Sequence, residues 1–281
     1  MVNLLFCGND GVFDGLLTAS LSIMMRTESR EPFCFRVFTM DVSHLDPKYV
    51  PISREKFEFF RETVKSYNPD NEAVLCDVTD LYKSEFSGCP NEGAYCSPYT
   101  LIRLLADEVP GTPDRFLYLD ADVLFRRDVH LLYDTDIENY EYAAAPDHYG
   151  KYLIHPHYIN AGVLLFNMKR ARETGLFPKA RDWLRKKKLV FADQSALIRA
   201  TAKRKILPQK FNDQKFLHKH TVVRHFSKRL FYLPYPHTEN IKQWQVDKVH
   251  KKFHYTAFDD ILNEYLRLKQ LFNERQTENE R

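Results

Sequence analysis

The sequence predicts an α/β protein with a mostly parallel central sheet flanked by helices, and three observations carry that reading. Short apolar runs alternate with helical patterns through the first 126 residues, the spacing of βαβ units. The chain has 281 residues, 44% hydrophobic and 28% charged, which is the balance of an ordinary globular protein of one or two domains. Two carboxylates, Asp120 and Asp122, stand at the carboxyl end of a predicted strand, where ligands of such sheets bind.

The first strand is "VNLLF" at 2–6, followed by a helical pattern over 12–26. "FCFRVFTM" at 33–40 and "AVLCDV" at 73–78 read as buried strands on either side of a helix at 52–66. A third helix is expected over 98–108, ahead of the strand "RFLYL" at 115–119. Beyond residue 126 the pattern changes. "YINAGVLLFNMKR" passes from a strand straight into a basic helix start, and helices are expected at 177–188 and 193–203. "TVVRHFS" is a β-branched run that puts His225 at a strand end. In the last stretch, apolar positions 258, 261, 262, 265, 268, 271 and 272 share one helical face, so this helix is expected to pack on the body. The terminal "QTENER" is expected to fray.

A net charge of only +3 excludes nucleic acid as the main partner. The five cysteines, Cys7, Cys34, Cys76, Cys89 and Cys96, are odd in number and scattered, which indicates a reducing compartment. "MVNLLFCGNDG" lacks the basic and apolar regions of a signal peptide, and no run approaches the roughly 18 apolar residues of a membrane span. A cytoplasmic protein is expected, with contact to a membrane limited to its surface.

The chemistry centres on "RFLYLDADVLFR". A carboxylate within an apolar run is costly unless a cation or donors compensate it. Hard divalent cations such as Mn²⁺ and Mg²⁺ take one or two carboxylates and complete their shell with phosphate oxygens, and a D-x-D turn offers that half-site. The same spacing also suits a turn cap, or pairing with Arg126 or Arg127. Haloacid-dehalogenase phosphatases use D-x-D as well, and "FCGNDGV" at 6–12 mimics their N-terminal motif. In that mimic Gly8 stands at the nucleophile position, and no later Gly-Asp pair completes the phosphatase metal site.

"LYLDADVLF", "YINAGVLLFNMKR", "ADQSALI" and "RHFS", taken in that order, resemble the motifs of the family-8 glycosyltransferases, which include glycogenin and bacterial lipopolysaccharide galactosyl- and glucosyltransferases. The resemblance runs from residue 2 to about 227. It implies a GT-A type nucleotide-diphospho-sugar transferase fold, Mn²⁺ or Mg²⁺, and a UDP-sugar donor. By that resemblance Asp120, Asp122 and His225 hold the metal. Asn160 and Ala161 contact the sugar, and Asp193 and Gln194 orient it beside its anomeric carbon as the catalytic pair. Cys7, Asn9, Phe13, Arg103 and Ala121 are donor-side positions, with Asn9 bonding the base; the family's stacking aromatic falls at Val12 or Phe13, and Phe13 stacks on the base if the loop shifts by one residue. Asp147 is an acceptor-side carboxylate.

Each position also has a plain structural reading: an N-cap for Asp193, a salt bridge to Asp107 for Arg103, a turn around Asn160, and a loop charge at Asp147. The family's diphosphate lysine falls on Phe231. The lysine-x-tryptophan spacing recurs at "KQW", so Lys242 is expected to serve in place of Lys228 or Arg229, with "LFYLPYPHTEN" as a lid. The expected organisation is a catalytic body over 1–233 and a C-terminal lid and helical extension over 234–281. The expected function is metal-dependent, retaining transfer of glucose or galactose from a UDP-sugar donor to a glycan or glycolipid acceptor, with no nucleic acid partner, in the cytoplasm or peripherally at the inner membrane face. A metal phosphohydrolase and a non-catalytic nucleotide-sugar binder are the alternatives.

Overall fold

In a computed structural model, residues 1–93 and 97–279 are described. Cys96 and the last two residues of "QTENER" lie outside them. In chain order the elements are β1 (Val2–Cys7), α1 (Phe13–Arg26), β2 (Phe33–Thr39), α2 (Arg54–Tyr67), β3 (Glu72–Asp77), α3 (Thr79–Phe86), β4 (Arg115–Leu119) and β5 (Val123–Phe125). Then follow α4 (His130–Tyr133), β6 (Tyr142–Pro146), α5 (Gly150–Leu153), β7 (Ile159–Asn167), α6 (Met168–Thr174), α7 (Leu176–Lys186), α8 (Ala192–Ala200), β8 (Arg204–Ile206) and β9 (Val223–His225). The chain ends with the hairpin β10 (Arg229–Phe231) and β11 (His237–Glu239), the short α9 (Val246–Lys248), and α10 (Asp259–Asn279).

Seven strands form the central sheet in the order β3-β2-β1-β4-β7-β6-β8. β1 to β4 are parallel, and β7 runs antiparallel to both β4 and β6. Alternation along each strand sends residues to opposite faces. Leu4, Phe6, Leu117 and Leu119 enter the core shared with α1, α2 and α10, whereas Leu5, Cys7, Phe116 and Tyr118 enter the core under α3, α7 and α8. Both faces are covered, which is why the strands read as continuous apolar runs.

The C-terminal helix packs as its apolar face requires: Phe258, Ile261, Leu262, Tyr265 and Leu268 are buried, and Phe272 meets Phe13 and Phe59 at ring distances of 6.1 and 5.1 Å. It stays helical to Asn279, so the fraying expected from residue 276 is not seen over 276–279.

The helix expected over 98–108 is instead two 3₁₀ segments, Pro98–Thr100 and Ile102–Leu105. The reason is local competition for a carbonyl. Arg103 Nε donates to Thr100 O at 2.9 Å, the acceptor an α-helix would give to Leu104 N, and Leu104 N turns to Leu101 O.

Candidate active site

The D-x-D turn joins β4 to β5, which leaves the main sheet and pairs antiparallel with β9. Val123 lies opposite His225, and Phe226 N donates to Asp122 O at 2.7 Å. That pairing brings a histidine a hundred residues away onto the two carboxylates. His225 Nε2 is 3.1 Å from Asp122 Oδ1 and 3.8 Å from Asp120 Oδ2. One ligand atom from each of the three lies within 4.8 Å of the others. On the neighbouring strand, Gly162 O accepts from Asp120 N at 2.8 Å. A Cβ at Gly162 would sit 2.3 Å from His225 Cε1 and 2.7 Å from Asp120 Oδ2, so the backbone approaches this site as only glycine permits. Two carboxylates and an imidazole around such a space are donors suited to a divalent cation.

Charge is balanced from both sides. Arg103, nearly inaccessible to solvent, reaches Asp120 at 3.0 Å and Asp193 at 3.4 Å, stacks on the Tyr118 ring at 4.0 Å and donates to Ala161 O. Tyr118 also donates to Asp120 Oδ1 at 2.6 Å. The expected Arg103–Asp107 bridge does not form, because Arg181 takes Asp107 and Glu108. Burial works to lower the Arg103 pKa, but the groups around it outweigh burial and hold it above its ordinary value. Burial likewise favours the neutral form of Asp122, yet the Lys242 ammonium beside it overcomes burial and holds that carboxyl well below the usual range. Lys242 Nζ donates to Asp122 Oδ2, and to Phe226 O at 3.3 Å. Arg126 bonds His218 O, so the alternative pairing of the D-x-D carboxylates with it is not seen.

Asp193 and Gln194 lie in the first turn of α8, and the N-cap is Phe191, held at φ 53°, so Asp193 is not the cap the sequence suggested. Gln194 Oε1 accepts from Ala161 N at 3.0 Å, which ties this turn to the Asn160–Ala161 strand end. Burial pushes the Asp193 carboxyl up, with Arg103 opposing it.

The cleft beside the turn, about 200 Å³, is lined by Cys7, Asn9, Val12, Tyr99, Arg103, Tyr118, Asp120, Ala121, Asp122, Lys242 and Trp244, among others. Phe13 is not among them. It points into the core against Phe272, and Val12 takes the cleft side, so the expected base-stacking ring is turned away. Burial raises the Cys7 thiol pKa, and the side chain forms part of the cleft wall. Asn9 Nδ2 donates to Lys48 O at 2.9 Å. Asp147, at the end of β6, accepts from Tyr149 N, Gly150 N and Asn160 Nδ2 at 3.1, 2.7 and 3.0 Å.

Lys242 is carried in by a docked segment. Gln243 Nε2 donates to Ala121 O at 2.7 Å and to Thr18 Oγ1 at 2.9 Å. Trp244 packs on Gly15, where a Cβ would lie 2.7 Å from its ring and 2.5 Å from Ala121 O. Sequence reasoning passed over Tyr99, Tyr118 and the fully buried Asn212, which accepts from or donates to His225 and Asn160. No motif marks them, and only proximity reveals them.

A parallel α/β sheet with a D-x-D turn at its carboxyl edge, a neighbouring reversed strand and a histidine returned to the turn defines a GT-A fold glycosyltransferase. Galactosyltransferase LgtC, solved with donor and acceptor sugar analogs, superposes with a TM-score of 0.68 at 20% identity over 95% of both chains. GlyE of Streptococcus pneumoniae TIGR4 gives 0.61 at 18% identity, over 95% of this chain and 63% of that one. Glycosyltransferase GlyA of Streptococcus pneumoniae serotype 4 is 32% identical over 121 residues, 39% of this chain and 16% of its own length. A Haemophilus influenzae protein provisionally named a glycosyltransferase is 25% identical over 152 residues, 47% of this chain. The matched region covers 46% of that relative, so the chain spans less than half the length of these two curated relatives. Residues 3–229 match the sequence profile of glycosyl transferase family 8, and the chain belongs to that family. Among the described residues, no helix is long and apolar enough to cross a membrane.

Proposed function

We propose that this protein is a metal-dependent, retaining hexosyltransferase that moves glucose or galactose from a UDP-sugar to a glycan or glycolipid acceptor. The observation that carries the reading is the convergence of Asp120, Asp122 and His225 on one point beside a cleft that also presents Lys242 and Arg103. Asp120, Asp122 and His225 would hold the Mn²⁺ or Mg²⁺. When bound, the ion supplies Lewis-acid stabilisation of the departing diphosphate. The chain's own residues do the rest. Lys242 provides a second cation for the diphosphate once it leaves Asp122. Asn9 offers an amide to the base. Asn160, Asp193 and Gln194 present hydroxyl-binding groups at one rim, with Asp193 kept in place by Arg103. The reading involves no covalent sugar-enzyme step. The hairpin β10–β11, whose turn holds the expected boundary at residues 233 and 234, precedes the segment bearing Lys242 and acts as the lid.

The test is a panel of nucleotide sugars with Mn²⁺, scored for release of UDP with and without chelator. Release confined to one UDP-hexose and abolished by chelator is expected. Phosphate release from simple esters would favour the phosphohydrolase, and metal-dependent UDP binding without turnover would favour a binding protein. Asp122→Asn should remove activity, whereas Asp128→Asn should not, because Asp128 only caps the turn at His130 and receives Glu28 N. Asp193→Ala should abolish turnover and leave UDP affinity within a few-fold.

A further inference from the structure

Asn212 is fully buried, lies in none of the motifs above and does not line the cleft, yet both ends of its amide are committed. Its Oδ1 is 3.0 Å from His225 Nδ1, and its Nδ2 donates to Asn160 Oδ1 at 2.9 Å. We infer that Asp147, Asn160 and Asn212 form a one-way hydrogen-bond relay that fixes His225 with its proton on Nδ1 and its Nε2 lone pair aimed at the D-x-D carboxylates. Asn212 is thus a positioning residue for the metal ligand, and this inference rests on the metal reading above.

The direction of the relay follows from its anchored end. Asp147 Oδ1 is taken by the N–H groups of Tyr149 and Gly150. An ionised carboxylate only accepts, so the group facing Asp147 Oδ2 must be the amide nitrogen of Asn160. Asn160 therefore turns its oxygen the other way, where Gly162 N donates to it at 3.0 Å as a second, independent check. An oxygen already facing one donor can meet Asn212 only through the Asn212 nitrogen. What remains for His225 is the Asn212 oxygen, and an oxygen requires a proton on Nδ1. Each step is set by donor and acceptor identity. The outcome is an imidazole whose free lone pair faces Asp120 and Asp122, an arrangement that repels unless a cation lies between them. The relay also gives Asp147 a role in building the site from outside the donor cleft.

The experiment compares wild type, Asn212→Asp and Asn212→Leu, each checked for an unchanged melting profile with the metal absent. Mn²⁺ affinity is measured by calorimetry, and the neutral His225 tautomer is read from ¹⁵N imidazole shifts in metal-free protein, with His225→Gln assigning the signal. Asn212→Asp keeps an oxygen for the Nδ1 proton but sets a second oxygen against Asn160 Oδ1, so its Mn²⁺ affinity should fall between wild type and Asn212→Leu, which should lose about 10- to 100-fold. Wild type should show the Nδ1–H tautomer and Asn212→Leu a mixture. If Asn212→Leu binds Mn²⁺ as wild type does, or if wild-type His225 carries its proton on Nε2, the relay is wrong. A wild type that shows the Nδ1–H tautomer but binds no Mn²⁺ would instead overturn the metal reading and leave the relay standing.

Discussion

Lys242→Ala removes the cation that holds Asp122 in the metal-free protein, and its consequences differ in size between the metal-free and metal-bound states of the site. The Lys242 and Asp122 side chains are 20% and 13% exposed, so the pair is largely desolvated. A hydrogen bond to a charged group contributes about 1.5–3 kcal/mol, and removing Lys242 leaves the largely buried Asp122 with no cation beside it. At about 2 °C per kcal/mol for a chain of this size, the metal-free variant should melt about 3–6 °C lower than wild type. Bound Mn²⁺ should shrink that deficit, because the ion takes over the neutralisation and no longer competes with an ammonium. UDP affinity should fall as well, about tenfold or more for a loss of roughly 1.4 kcal/mol at the diphosphate. Scanning fluorimetry with and without Mn²⁺, and calorimetry with UDP, separate the two effects. Lys228 does not line the cleft, so Lys228→Ala should leave UDP affinity near wild type. A Lys242→Ala variant with an unchanged metal-free melt and UDP affinity within twofold would refute the assignment.

Gly162→Ala should abolish Mn²⁺ binding while the sheet still forms, since its Cβ would collide with His225 and Asp120 and not with the core; calorimetry and circular dichroism together check this. Phe13→Leu should cost about 1 kcal/mol of stability and leave UDP affinity within twofold, because the ring packs on Phe272 outside the cleft; a large loss of affinity would return Phe13 to the base. Arg26 clamps α1 to α10 through Asp260 at 2.6 and 2.7 Å and holds that carboxyl below its usual range. With the folded pKa depressed, this stabilisation is present above the unfolded value of about 3.9 and disappears as pH falls through the folded one. Arg26→Ala should therefore cost about 0.2–1 kcal/mol at neutral pH, discounted for a half-exposed Asp260, and progressively less as pH falls below the unfolded value, as read from denaturant titrations at neutral and acidic pH.

What was legible in the sequence is what short-range pattern controls. Apolar runs located β1 to β4, the reversed strand β7 and the helix α10, and the D-x-D letters at a strand end located the carboxylates. His225 was singled out by its place in the family-8 motif order, and Lys242 by the family's lysine-x-tryptophan spacing; neither stood out by local pattern alone. The tertiary structure decided the partners. Phe13 and Val12 are neighbours at a helix start, and nothing local says which faces the cleft. Phe272, more than 250 residues later, claims the Phe13 ring. Arg103 had a carboxylate four residues away, yet Arg181 took Asp107 and left the guanidinium for Asp120 and Asp193. Asn212 carried no signal at all, because a buried amide is defined by the groups that surround it. Sequence periodicity sets which face of an element is buried, since that depends on residues within a turn or two. Which charge meets which, and which donor meets which acceptor, depends on the packing of distant elements, where each buried polar group must find its partner or remain unpaired at a cost.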